Sequence, residues 1–251
     1  MSETTAIQWT NRTWNPWRGC TKVHPRCKNC YMFTEQARYG QDPSVVIRTK
    51  TWNDPIRWQK KAAGAGVSEM VFTCSWSDWF HVDADQWRPE AWDIVKRCPN
   101  LTFQILTKRP QRIAGCLPND WDGGYPNVWL GSSLDPDDNH GMELFKIPAR
   151  VKFLSLEPLL GPVDLSKVLS AANWIICGGE SGPGARPCRV EWIRSIINQC
   201  QAAGLPCFTK QMGSNLVGDE FDKWVCHMKH KKGGEPSEWP ADLRIREFPK
   251  L

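Results

Sequence analysis

Six short apolar runs recur along the chain: MVFTC at 70–74, TFQILT at 102–107, VWLGSS at 128–133, VKFLSLE at 151–157, WIICGGE at 174–180 and PCFTK at 206–210. Each is of strand length, and some of the segments between them carry apolar residues at helical spacing, a pattern that predicts repeated βα units and a parallel sheet. DADQWRPEAWDIVKRC predicts a helix with Asp83 or Asp85 as its N-cap, and RVEWIRSIINQCQAAG predicts another that Gly204 stops. Connections such as TKRPQRIAGC are short enough to hold single turns, and a further strand around AIQWT would bring the count to seven. The expected fold is α/β: a partial TIM-like βα barrel of six to seven parallel strands over residues 1–210, then a polar, Gly- and Pro-rich extension over 211–251 that packs on the barrel.

Polar residues gather where these runs end: Cys74-Ser75 with Asp78, Thr107-Lys108-Arg109, Ser132-Ser133, Glu157, Gly178-Gly179-Glu180 and Thr209-Lys210-Gln211. In a parallel barrel all such ends open on one face, the face where active sites are built. A glutamate or lysine at the last buried step of a strand is costly without a partner or a role.

Before the first of the six runs lies TWNPWRGCTKVHPRCKNCYMF, residues 13–33, with Cys20, Cys27 and Cys30 spaced C-x6-C-x2-C. The chain has eleven cysteines, an odd number, and MSETTAIQW has neither the basic nor the apolar region of a secretory signal, so reduced thiols and a cytoplasmic location are expected. No apolar run approaches the ~18 residues of a membrane span. Thiols this dense in a reducing compartment point to a metal. A structural zinc ion wants four protein ligands, so His24 or a distant thiol would have to complete it. A 4Fe–4S cluster held by three thiolates would instead leave one iron open to a non-protein ligand such as S-adenosylmethionine.

The loop resembles the cluster loop of radical S-adenosylmethionine enzymes, whose usual spacing is C-x3-C-x2-C. Together with FQILTKRP, LSLEPLLGPVDL, GGESGPGARP and EWPADLRIREFP, it is similar to the signature blocks of a phage- and bacteria-associated three-Cys-motif barrel family grouped with those enzymes, and the similarity spans most of the chain. The resemblance implies that Cys20, Cys27 and Cys30 hold a 4Fe–4S cluster, that an external electron donor reduces it, and that S-adenosylmethionine is cleaved to a radical that abstracts hydrogen from a substrate. Tyr31, Ser75, Asp78, Ser132, Glu157 and the Gly178-Gly179-Glu180 turn are then candidates for binding the cofactor. Two features depart from the common pattern: Asn29, not an aromatic residue, precedes the third cysteine, and Gly-Gly-Glu follows a late strand instead of the second. Lys108, Arg109 and Lys210 are candidates for meeting a carboxylate or an anionic substrate, and Cys74 for donating a hydrogen atom, although a buried cysteine is commonly a small hydrophobe.

The net charge of +5 permits an anionic partner without demanding one, and fifteen tryptophans supply rings for the core or for stacking on bases. With the phage association, these point to a nucleobase or nucleotide as substrate, in modification or repair of DNA. The alternative is a non-catalytic, zinc-bearing nucleic-acid-binding protein that uses the Lys229–Lys232 cluster on phosphate.

Overall fold

The computed structural model describes residues 5–133, 135–138, 140–218 and 228–250. Cys226 and His227 of the C-terminal extension lie outside them. The chain forms two compact units, one of residues 1–132 with 142–152, the other of 133–141 with 153–251.

The first unit carries four parallel strands in the order β1 (Arg12–Trp14), β2 (Glu69–Thr73), β3 (Leu101–Thr107) and β4 (Val128–Ser132). Arg12 pairs with Val71, Glu69 with Leu101 and Phe103 with Val128. Every residue of β4 is buried, as a continuous apolar run covered on both faces requires. The first strand falls later than AIQWT suggests. Residues 7–10 turn instead, with the Thr10 amide on the Ile7 carbonyl, and the strand begins where Arg12 can pair with Glu69.

Three helices belong to this unit: α1 (Tyr31–Arg38), α2 (Asp54–Ala65) and α3 (Arg88–Lys96). In α2, Pro55 stands in the first turn, and Gly66, at φ 66°, ends the helix in the left-handed conformation. Neither Asp83 nor Asp85 caps α3. His81 caps a short 3-10 turn at 82–84, Asp85 binds the guanidinium of Arg112 at 2.8 Å as well as that of Arg88, and the helix starts only at Arg88-Pro89. The interior is tryptophan-rich: Trp79 meets Trp17, Trp14 and Trp92 at 5.2, 5.8 and 5.0 Å between ring centroids, and Trp92 meets Trp121 at 5.4 Å. Rings of this size bury ~150–250 Å² apiece and dominate the core.

The second unit holds three parallel strands: β5 (Val151–Leu156, belonging here from Phe153 on), β6 (Trp174–Gly178) and β7 (Cys207–Gln211). Helix α4 (Val190–Ala202) buries Ile193, Ile196, Ile197 and Cys200, spaced i, i+3, i+4, i+7, and Gly204 at φ 64° follows its end, as the sequence predicts. The C-terminal tail returns along β7. Thr209 donates to the Ile245 carbonyl and Glu247 to that of Cys207, each at 2.8 Å, and Trp239 is fully buried. Cys177, Cys188, Cys200 and Cys207 are all buried in this core. Cys207 hydrogen-bonds to the thiols of Cys177 and Cys200 and titrates well above the ordinary range, and burial pushes Cys188 up to about 12. Cys177 and Cys207 thus act as small hydrophobes.

Apart from the short parallel pair Cys188–Arg189 and Leu216–Val217, the units account for seven parallel strands among the described residues, within the α/β class expected. Among those residues no helix is long and apolar enough to cross a membrane.

Candidate functional site

The cysteine loop is held at its neck. Trp17–Arg18 pairs antiparallel with Ile47–Arg48, so the intervening chain must leave and return at one place. Gly19, at φ 93°, makes the turn, and any side chain there would collide with the Val45 carbonyl. The Gly19 amide donates to the Trp76 carbonyl at 3.0 Å, and the Cys20 amide to that of Pro43 at 2.8 Å. Beyond Cys20, a 3-10 turn at Pro25–Cys27 is capped by Nδ1 of His24, which accepts from the Arg26 amide at 3.2 Å. Cys30 then stands immediately before α1, whose positive dipole end favours negative charge there.

Behind the loop sits a buried ion pair. Asp78 Oδ1 accepts from Thr107 Oγ1 at 2.7 Å and from the Phe80 amide at 2.9 Å; Oδ2 accepts from the Lys108 amide at 2.9 Å and lies 3.3 Å from Arg109 Nη1. Both side chains are 6% exposed, so each charge depends on the other. Arg109 also reaches into the loop. Its Nη2 donates to the Thr21 carbonyl and hydroxyl at 2.8 and 2.9 Å, and its Nη1 lies 3.5 Å from Cys20 Sγ. His81 completes the anchor: Nδ1 accepts from the Asp83 amide, which leaves the proton on Nε2 to donate to Thr21 Oγ1 at 3.0 Å. Burial and the repulsion of the Arg109 charge hold His81 below its usual range.

The thiols respond to these surroundings. Burial, helped by the charges of Asp78 and Cys30 and opposed by Arg109, pushes Cys20 up to about 11. Cys74, buried at the end of β2, is raised well above the ordinary thiol by burial, by Asp78 and by Cys20. Its φ of 56° is rare for a residue with a side chain, and strain of this kind concentrates at functional sites. Cys20 therefore lies within electrostatic reach of both Cys30 and Cys74. Tyr31 donates its hydroxyl to the Ser75 carbonyl at 2.7 Å, and Ser75 Oγ bonds the Asn15 side chain at 3.1–3.2 Å.

The first unit thus gathers Cys20, Cys30, Tyr31, Cys74, Ser75, Asp78 and Arg109 around one strand-end region. Ser132 is beside it, in register with Thr107. Lys108 contributes its amide to Asp78. The candidates on the second unit have partners of their own. Lys210 donates to Glu157 at 2.7 Å. Gly178 and Gly179 lie so close to the backbone of Gln211 and Met212 that only glycine fits at Gly179, and Glu180 binds Arg186 through the amide, Nε and Nη2 at 2.7–3.0 Å. Sequence reasoning missed Thr21, Asn15 and the role of His81. Thr21 and Asn15 act through short hydrogen bonds across a loop, which no spacing announces.

Among the described residues no three His, Cys, Asp or Glu side chains are placed to hold one metal ion. A tetrahedral zinc site needs its ligands to converge on a point, whereas each thiolate of an iron–sulfur cluster binds a different iron and the set is spread wider. His24 Nδ1 is already an acceptor in the 3-10 turn. Three thiols are the donor type an iron–sulfur cluster takes; Cys20 and Cys30 interact electrostatically, while Cys27 is buried in the 3-10 turn.

Fold and site together define an α/β protein of parallel βα units whose strand ends carry a three-cysteine loop locked by a buried Asp–Arg pair. A family model described as a protein of unknown function, DUF5131, matches residues 4–238, and the chain belongs to that family. No curated protein and no solved structure matches it.

Proposed function

We propose that the protein is a cytoplasmic radical S-adenosylmethionine enzyme built on a partial TIM-like βα barrel, acting on a nucleobase or nucleotide in DNA modification or repair, phage DNA included. Cys20, Cys27 and Cys30 are the residues that would hold a 4Fe–4S cluster, and an external donor would supply its electron. When bound, such a cluster supplies one electron for reductive cleavage of S-adenosylmethionine, which ends in 5′-deoxyadenosine once hydrogen has been taken from substrate. The observation that carries the reading is a three-thiol loop fastened at its first cysteine to a buried guanidinium.

The chain's own residues then have defined tasks. Arg109 places a positive charge against Cys20 and offsets thiolate charge, while Asp78 keeps that guanidinium fixed. Tyr31, held by the Ser75 carbonyl, presents a ring beside Cys30 for the adenine. Ser75 and Ser132 are the strand-end hydroxyls for ribose and methionine, with Lys108 for a carboxylate, while Asp78, its oxygens taken up by Thr107, two amides and Arg109, acts through Arg109. Cys74, neutral and buried, retains a hydrogen it could give up. On the second unit, Glu157, Lys210 and the Gly178-Gly179-Glu180 turn are the strand-end candidates.

Anaerobic reconstitution with iron and sulfide tests this. The protein should turn brown and, with a reductant, release 5′-deoxyadenosine from S-adenosylmethionine; Cys30→Ala should abolish both. Colourless protein carrying stoichiometric zinc would favour the non-catalytic zinc protein instead.

A further inference from the structure

The surface around the cysteine loop differs from the rest of the described surface. Of the eight large apolar side chains exposed there, five fall between residues 23 and 47: Val23, Tyr31, Tyr39, Val45 and Ile47. Charge concentrates in the same segment. Residues 21–50 contain Lys22, Arg26, Lys28, Arg38, Arg48 and Lys50 against Glu35 and Asp42, six minus two, so +4 of the chain's +5 arises from thirty residues. Arg26 is buried and Arg48 is neutralised by Glu90 at 2.7 Å. Lys22, Lys28, Arg38 and Lys50 are exposed, and among the described residues none of these four is in an ion pair.

The aromatic residues are arranged for one kind of ligand. Tyr39, just past the end of α1, is 71% exposed and lies over Trp76 at 6.5 Å between centroids and 27° between planes. The indole lies offset beside the ring at a shallow angle, and most of the ring is open to solvent. Tyr31, 49% exposed, is fixed through its hydroxyl to the residue before Trp76. Tyr31, Thr34 and Arg38 follow one another at i, i+3 and i+7 on the outer face of α1. Rigid, exposed rings interleaved with cations are how proteins bind unpaired nucleotides, whose bases are free to stack while their phosphates meet Lys and Arg. An acidic protein would satisfy the cations but has no use for an open aromatic ring beside a second one at a shallow angle.

We propose that this face binds single-stranded nucleic acid, with Tyr39 stacking on a base and Lys22, Lys28 and Arg38 meeting phosphates. That the strand is also the substrate rests on the function proposed above; the binding does not.

Full-length protein without added iron or S-adenosylmethionine is titrated into a fluorescein-labelled oligothymidylate of about 20 nucleotides, a length covering one to a few binding sites, and followed by anisotropy. Affinity should fall steeply with salt, with a log–log slope of about −2 for three phosphate contacts on a single strand. Tyr39→Ala should weaken binding ~5–100-fold, as for loss of one stacked base. Arg38→Glu should weaken it and flatten the salt slope by about 0.7. A duplex of the same length should bind less tightly. Both altered side chains are exposed, so neither change should disturb folding. Absence of binding at low salt would overturn the proposal. So would oligothymidylate binding that Tyr39→Ala leaves intact and that polyglutamate displaces equally well, a result that would mark the face as a site for acidic protein. Cleavage of S-adenosylmethionine without strand binding would sink this inference alone, and strand binding without cleavage would sink only the enzymatic reading.

Discussion

Asp78 is the residue on which the cysteine loop depends. Its carboxylate takes hydrogen bonds from Thr107 and from the amides of Phe80 and Lys108, and it neutralises Arg109, which in turn holds Thr21 and faces Cys20. Removing one member of a buried pair leaves the other charge uncompensated, so Asp78→Ala should cost ~3–5 kcal/mol in denaturant unfolding. A loss under ~1 kcal/mol, the worth of an exposed pair, would show that the pair is not buried in solution. His81 makes the same region sensitive to acid. Burial and Arg109 lower its folded pKa, so below the ordinary value of about 6.5 the unfolded chain takes up a proton that the folded chain refuses. Stability should therefore fall as pH drops from neutral through that value and level off below the depressed folded pKa. Urea midpoints at neutral and mildly acid pH should differ more for the wild type than for His81→Gln; equal differences would contradict this.

Among the elements, the short ribbon and the turn at Gly19 decide whether the loop closes. At φ 93°, with the Val45 carbonyl where a side chain would go, Gly19→Ala must move the backbone at the foot of the ribbon. Such a change should destabilise by ~1–3 kcal/mol and, because the cysteine beside it shifts, lower the iron retained after reconstitution. Thermal unfolding and an iron assay check the two effects, and an unperturbed variant would mean the turn is looser than described. The elements were unequally legible in the sequence. Apolar runs such as TFQILT located β3, and Gly204 marked the end of α4, because burial and left-handed geometry each restrict residue type. The start of α3 was not legible, since Asp83 and Asp85 look like caps while His81 and two arginines claim that stretch. Nor was β1, whose place is set by pairing with β2 across more than fifty residues.

Across the whole molecule, the cysteine spacing, the strand-end polar residues and the block of family resemblance are legible in the sequence alone. The connections that turn them into a site were not. Arg109 to Cys20 spans 89 positions and Thr107 to Asp78 spans 29, distances over which a single sequence carries no signal. The tryptophans divided in the same way: eleven of the fourteen described are buried, Trp76, Trp87 and Trp192 are half-buried, and of these three it is Trp76 that lies beside Tyr39. The central claim is that three thiolates hold a cluster and leave an iron open to S-adenosylmethionine. Electron paramagnetic resonance of the dithionite-reduced, reconstituted protein, recorded with and without S-adenosylmethionine, tests it directly. The account predicts the signal of a reduced 4Fe–4S cluster whose shape changes when S-adenosylmethionine binds. No cluster signal from iron-loaded protein, or a signal that S-adenosylmethionine leaves unaltered, would contradict it.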